Sequence, residues 1–113
     1  MITLQGVDPH MIANNLTPYE PVHPGELLME EIEYRGISQR KLSSGIGVCN
    51  SVINEILKCK RPINAEIAIL IEAALGIEAN MLIRMQTDYN MQVARKNSKI
   101  ISRLSEIRKI AAF

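Results

Sequence analysis

The chain has 113 residues, of which 47% are hydrophobic and 22% charged, proportions typical of a soluble globular protein. This length can bury one substantial core and excludes a pair of independent domains. Aromatic residues make up only 4% and tryptophan is absent, so we expect an aliphatic, methionine-rich core. No apolar run approaches the ~18 residues of a membrane span. The first 16 residues lack the basic start and apolar block of a secretory signal, which predicts a cytoplasmic protein.

The formal net charge of +1 hides three segments of opposite sign. Residues 20–34 carry five glutamates and neither lysine nor arginine. Residues 38–61 carry five basic side chains against Glu55, and residues 95–109 carry six against Glu106. The distribution therefore predicts two basic surfaces and one acidic surface.

Residues 1–22 are predicted to form an N-terminal arm. Asp8 and Pro9 favour a short helix over residues 10–15, and Pro18 and Pro21 favour an extended approach to the main domain. Two interpretations stay open for this arm, a solvated segment and a segment that docks on a partner protein.

The main domain is predicted to begin with a helix at His23. Pro24 suits the first helical position, and Glu26 places a carboxylate at the positive end of the helix dipole. His23 is expected to cap this helix rather than to act as a ligand or a base. Gly36 ends the helix. Its predicted buried residues are Leu27, Leu28 and Ile32.

Two short helices joined by a tight turn are predicted next. Ser38 is a good N-cap for the first of them, and Gly47 followed by Val48 fits the turn. The second helix, residues 49–58, has Val52, Ile53, Ile56 and Leu57 on one side. Its other side is polar, with Asn50, Ser51, Asn54, Glu55 and Lys58. A small polar face followed by Lys60 and Arg61 is typical of a helix that enters the DNA major groove.

Three more helices complete the predicted all-α fold. Asn64 caps a fourth helix whose apolar residues are spaced i, i+3, i+4, i+7 and i+8. These residues, which we expect to face the core, are Ile67, Leu70, Ile71, Ala74 and Leu75. A fifth helix from residue 79 has Met81, Leu82, Met85 and Tyr89 on one face. Residues 94–113 form a C-terminal amphipathic helix that packs either on its own core or on another subunit.

The inventory of reactive side chains argues against an enzyme. Two histidines are present, and no nucleophile, glycine-rich phosphate loop or metal-ligand cluster has the required spacing. Cys49 and Cys59 lie ten positions apart, without the paired spacing of a zinc site. At helical rise they would be about 15 Å apart, too far for a disulfide. We therefore predict no catalytic residue, no metal and no cofactor.

The segment from Ser38 to Pro62 resembles the helix-turn-helix of the lambda-repressor-like (XRE) family. The flanking segments are similar to HigA-type antitoxins, and the resemblance covers roughly residues 20–93. The matching residues are Ser38-Gln39, Leu42-Ser43, Gly47-Val48, Ser51-Val52-Ile53, Glu55-Ile56-Leu57, Lys60-Arg61-Pro62, His23-Pro24-Gly25-Glu26, Ala74-Leu75-Gly76-Ile77 and Met85-Gln86 with Asn90. The expected architecture is a lambda-repressor-like domain of five to six helices, residues 23–93, with an extra C-terminal helix.

This resemblance implies a DNA-binding repressor and assigns roles to residues. Gln39 would contact a phosphate or a base edge, and Asn50, Ser51 and Asn54 would reach base edges. The basic side chains Arg40, Lys58, Lys60 and Arg61 would contact phosphates. Two residues depart from the family pattern. Cys49 stands where a capping residue is usual, and Cys59 replaces the glycine usual at the end of the recognition helix.

The resemblance also implies partners. HigA-type antitoxins bind a small RelE-like ribonuclease toxin and repress their shared operon, and operator recognition requires a homodimer. The acidic residues Glu26, Glu30 and Glu31 are a candidate surface for a basic toxin by charge complementarity. Two alternative functions are a stand-alone repressor of the phage type and a helical protein-interaction module that does not bind DNA.

Overall fold

The computed structural model describes residues 20–111, and the secondary structure within this range is α-helical. Its six helices are α1 (Pro24–Arg35), α2 (Gln39–Ile46), α3 (Asn50–Leu57), α4 (Ala65–Leu75), α5 (Ala79–Lys96) and α6 (Ser98–Ile110). This confirms the predicted all-α fold. The short helix predicted at residues 10–15 lies outside the described residues.

Side-chain caps fix the starts of four helices. The His23 Nδ1 atom accepts a hydrogen bond from the Gly25 N–H at 2.8 Å, as predicted for a capping histidine. Ser38 Oγ accepts from the Lys41 N–H at 3.0 Å, and Asn64 Oδ1 accepts from the Ile67 N–H at 2.8 Å. Asn97 caps α6 in the same way, at 2.9 Å from the Lys99 N–H. Each capping atom accepts a hydrogen bond from a backbone N–H that has no partner within the first turn of its helix.

The cap at His23 makes folding stability depend on pH. Burial lowers the pKa of His23 below 6.5, against smaller opposing effects of the Arg61 backbone and the Glu26 carboxylate. Below pH 6.5 the unfolded chain therefore binds a proton that the folded chain resists, and stability falls as the pH decreases. We expect the urea midpoint to drop between about pH 7.5 and 5.5. In His23→Asn, which keeps a capping oxygen, the decrease should be smaller; equal decreases would contradict the prediction.

Four helices, α1 to α4, end with a residue in the left-handed conformation, and Gly76 takes it after α4 with φ of 76°. Gly36 and Gly47 do so with φ of 71° and 72°, and the predicted turn at Gly47 is confirmed. After α3 the same conformation is taken by Cys59, with φ of 63°. The Lys60 N–H donates to the Glu55 carbonyl at 2.8 Å. This bond closes the end of α3 in the same way as at helix ends where glycine takes the left-handed position. The chain therefore makes this turn with a Cβ present.

Helices α1 to α5 surround one aliphatic core. Its largest fully buried side chains include Leu28, Ile53, Ile56, Ile71 and Leu82. At the N-terminus of α1, Gly25 lies directly against the Ile56 carbonyl of α3. The core therefore sits beneath α3 and leaves the opposite face of that helix outward.

The buried face of α4 differs from the predicted one. Leu70 and Ala74 are exposed, so their predicted burial is wrong, whereas Ala68 is fully buried with Ile67, Ile71 and Leu75. Since α4 is apolar on nearly every side, its sequence period does not select the face that meets the core.

Helix α6 does not pack on the chain's own core. It contacts α5, but none of its residues is buried. The side chains of its predicted apolar face, Ile100, Ile101, Leu104 and Ile107, are 37–51% exposed. Packing of α6 on its own core is thus not seen among residues 20–111, and packing on another subunit stays a prediction.

Candidate nucleic-acid interface

Three of the predicted DNA-contacting side chains meet between α2 and α3. Gln39 Nε2 donates a hydrogen bond to Asn50 Oδ1 at 3.3 Å, and Asn54 Nδ2 donates to Gln39 Oε1 at 3.1 Å. The buried Ser43 hydroxyl lies 3.0 Å from the Arg40 carbonyl and 3.3 Å from Asn50 Oδ1, so its one proton serves either acceptor. These bonds fix the orientation of the amides before any ligand binds.

The same bonds determine which polar atoms stay free. Asn50 Oδ1 accepts from Gln39, and the Ser43 hydroxyl beside it has a single proton to divide between Asn50 and the nearer Arg40 carbonyl. Asn54 uses one of its two N–H groups on Gln39, which leaves its other N–H and its Oδ1. A free donor beside a free acceptor is what an asparagine needs to pair with the major-groove edge of adenine. Asn54 therefore keeps both the donor and the acceptor that reading a base requires.

The N-terminal turn of α3 exposes Cys49 and Ser51. Cys49 makes no side-chain capping bond, as expected for a thiol at this position. Its Sγ atom lies 3.1 Å from Ser51 Oγ, and this hydrogen bond is the main reason that the thiol pKa is lowered. Ser51 is exposed, so its hydroxyl can turn toward a ligand.

The predicted phosphate contacts surround this polar face. Arg40, Lys58 and Lys60 are exposed. Arg61 is exposed as well, but its Nε donates to Glu55 Oε1 at 2.7 Å, so it would have to leave or share Glu55 to reach a phosphate. The three unshared cations are thus more available to DNA than Arg61.

The sequence analysis named Gln86 only as part of the family resemblance and missed its role, which is to position the segment after α3. Gln86 is only 5% exposed, and its Oε1 accepts the Ile63 N–H at 2.9 Å. Its Nε2 donates to Asn90 Oδ1, also at 2.9 Å. These bonds anchor α5 to the residue that follows Lys60, Arg61 and Pro62. Gln86 lies four positions after Leu82 and therefore on the same, core-facing side of the helix. A single glutamine on a core-facing side was the sequence signal for this role.

Replacement of Gln86 by leucine is expected to destabilise the fold. The buried Ile63 N–H would lose its acceptor, which costs about 1–3 kcal/mol. The free energy of unfolding in urea measures this loss. Gln92→Leu on the same helix is the matched control and should stay within about 0.5 kcal/mol of the parent. Equal stability of the two variants would show that Gln86 has no anchoring role.

The predicted acidic surface is divided by the structure. Glu26 and Glu30 are exposed on α1 and, together with Glu33, are spaced i, i+4 and i+7 on one face. Glu31 is half-buried and bonds to Arg35 Nε at 2.7 Å. Arg35 Nη2 in turn donates to the Leu75 carbonyl at 2.6 Å, so Glu31 helps join α1 to α4.

Neither a metal-binding nor a membrane-spanning element was found in the described range. Residues 20–111 contain no group of three His, Cys, Asp or Glu side chains able to hold a metal ion. No helix described in this range has the length and apolar character needed to cross a bilayer.

The fold and this surface were compared with known proteins. No protein-family model matches the chain. It is 34% identical over 82 residues to virulence-associated protein I of Dichelobacter nodosus, an alignment covering 72% of this chain and 76% of that protein.

Solved structures resemble the chain over most of its length. An addiction module antidote protein of the HigA family from Coxiella burnetii matches with a TM-score of 0.68 and 25% identity, over 84% of this chain and 99% of that one. The Pseudomonas aeruginosa antitoxin HigA with the higBA promoter matches with a TM-score of 0.66 and 30% identity, over 73% and 91%. A P. aeruginosa protein in complex with its 28-bp operator DNA matches with a TM-score of 0.67 and 25% identity, over 81% and 97%. The chain belongs to the HigA-type antitoxins of the helix-turn-helix family.

Proposed function

We propose that this protein binds operator DNA through α3 and represses transcription of its own operon. The observation that carries the proposal is the oriented network of Gln39, Asn50 and Asn54 on the outward face of α3. Exposed cations on both sides suit the phosphates that flank a major groove. Two similar structures, one with operator DNA and one with a promoter, support the same use of this fold. No catalytic step is assigned to the chain.

The operator is bound by a homodimer in this proposal. One recognition helix reads only a few base pairs, so a specific site requires two helices about one DNA turn, roughly 34 Å, apart. Helices α5 and α6 are proposed to form the dimer, because the apolar side chains of α6 lack a covering partner among residues 20–111. If each protomer neutralises about four phosphates, log affinity should decrease with log salt at a slope of about −7.

Fluorescence anisotropy with the protein's own promoter DNA tests this function. We expect nanomolar, sequence-dependent binding with the steep salt dependence given above. A shuffled duplex of the same composition is the control. Weak binding that does not distinguish the two duplexes would exclude operator recognition and favour the protein-interaction module.

The partner protein is proposed to be a basic, RelE-like ribonuclease toxin bound at α1. Glu26, Glu30 and Glu33 form an exposed acidic row, whereas Glu31 is held by Arg35. Charge complementarity with a basic surface supports this site. The combined variant Glu26→Lys/Glu30→Lys should weaken binding of the adjacent reading frame's product at least tenfold, with Glu78→Lys as control. Unchanged affinity would place the toxin elsewhere.

A further inference from the structure

Among residues 20–111, two helices, α4 and α6, each expose an apolar face. On α4 the outward face has Ile69, 58% exposed, with Leu70, Ala73 and Ala74 exposed beside it. On α6 the exposed apolar face runs from Ile100 to Ile107. Contiguous exposed apolar surface of this kind marks an interaction site.

The charges beside these two faces are opposite in sign. Helix α4 carries Glu66 and Glu72 and no basic residue. Helix α6 carries four basic residues against Glu106, a net charge of +3. Pairing α6 with α6 would bring two such basic helices together, whereas pairing α6 with α4 brings unlike charges together. Of the two apolar faces, charge therefore favours α4 over a second α6 as the surface that receives α6.

The two helices also match in length. At helical rise the 11 residues of α4 extend about 16 Å and the 13 residues of α6 about 20 Å. On each helix the charged residues stand next to the apolar row. Glu66 precedes Leu70 by one turn, and Arg103 precedes Ile107 by one turn. Antiparallel or crossed packing can thus place apolar side chains together with charged pairs at the rim.

We propose that α6 of one copy packs on the outer face of α4 of a second copy, and reciprocally. The exchange is two-fold, so each copy gives one helix and receives one, and the assembly closes as a dimer. This inference rests on the homodimer of the proposed function and identifies its receiving surface.

A charge-exchange experiment on the full chain tests the contact. Dimer dissociation is measured by sedimentation equilibrium in reductant, with urea midpoints to verify folding. We expect Glu66→Lys/Glu72→Lys, and separately Lys99→Glu/Arg103→Glu, to weaken the dimer at least tenfold. Combining all four changes should restore affinity to within about threefold of the parent, because opposite charges again face each other.

Other outcomes overturn the contact in distinguishable ways. If only the α6 variant weakens the dimer, α6 docks on another surface, and the homodimer survives. The same conclusion holds if both double variants weaken the dimer and combining all four changes does not restore dimer affinity. If Ile69→Ser/Leu70→Ser leaves dimer affinity unchanged, α4 is not the surface that receives α6. A monomeric parent protein would overturn the homodimer itself.

Discussion

Replacement of Asn54 by alanine is expected to weaken discrimination between the operator and unrelated DNA. Asn54 keeps a free N–H and a free Oδ1 after its bond to Gln39, so it can bind one adenine through two hydrogen bonds. Such a contact provides about 1–3 kcal/mol of discrimination. Because a dimer presents it at both half-sites, affinity for the operator should fall by about 30-fold or more. Affinity for unrelated DNA, which depends on phosphate contacts, should be unchanged.

Two comparisons make this result specific to base reading. Asn80→Ala, an exposed asparagine at the start of α5, should leave both affinities unchanged. Lys58→Ala should weaken binding to both DNAs alike and reduce the salt slope, as expected for a phosphate contact. If Asn54→Ala behaves like Lys58→Ala, Asn54 does not read a base. Thermal unfolding of each variant excludes a loss of fold, since Asn54 is half-buried.

Replacement of Gly25 by alanine is expected to destabilise the domain by about 3 kcal/mol or more. A Cβ at this position would overlap the Ile56 carbonyl oxygen and lie 3.0 Å from His23 Nδ1. The carbonyl belongs to α3 and cannot rotate away as a flexible side chain would, so α1 must move from the core. Thermal unfolding should shift down by about 10–20 °C for a domain of this size.

The same substitution at Gly45 is the matched control. Gly45 lies within α2, and a Cβ there would meet nothing within 4 Å. Alanine is favoured over glycine in a helix by about 0.5–1 kcal/mol, so Gly45→Ala should raise the unfolding temperature. If Gly25→Ala lowers the unfolding temperature and Gly45→Ala raises it, the steric contact with Ile56, and not helix propensity, decides the effect at Gly25. A stable Gly25→Ala variant would show that α1 and α3 can separate without cost.

Local capping and turn chemistry made much of the fold predictable from sequence. Ser38, Gly47 and Asn64 occupy the cap and turn positions expected of them, because each satisfies backbone groups within a few residues. The polar residues Asn50 and Asn54 follow from their spacing on one helix, opposite Ile53 and Ile56. Their placement on an outward face could therefore be predicted from the sequence, although their contact with DNA stays a prediction.

Long-range packing was less predictable. The exposure of Leu70 depends on which side of an almost wholly apolar helix meets the core. The role of Gln86 depends on Ile63, which is 23 positions away in the chain. The hydrogen bonds that leave Asn54 free and occupy Asn50 likewise require the distance between α2 and α3. Periodicity within one segment contains none of this information.

The left-handed Cys59 has a consequence for mutational drift. A left-handed non-glycine residue costs about 1 kcal/mol or more. Against this, cysteine loses less chain entropy than glycine, by about 0.5–1 kcal/mol. Partial burial, which raises the pKa of this thiol, adds a small apolar contribution on the same side. The two sides nearly cancel, and cysteine and glycine codons differ by one nucleotide. Position 59 can therefore exchange the two residues at almost no selective cost to folding.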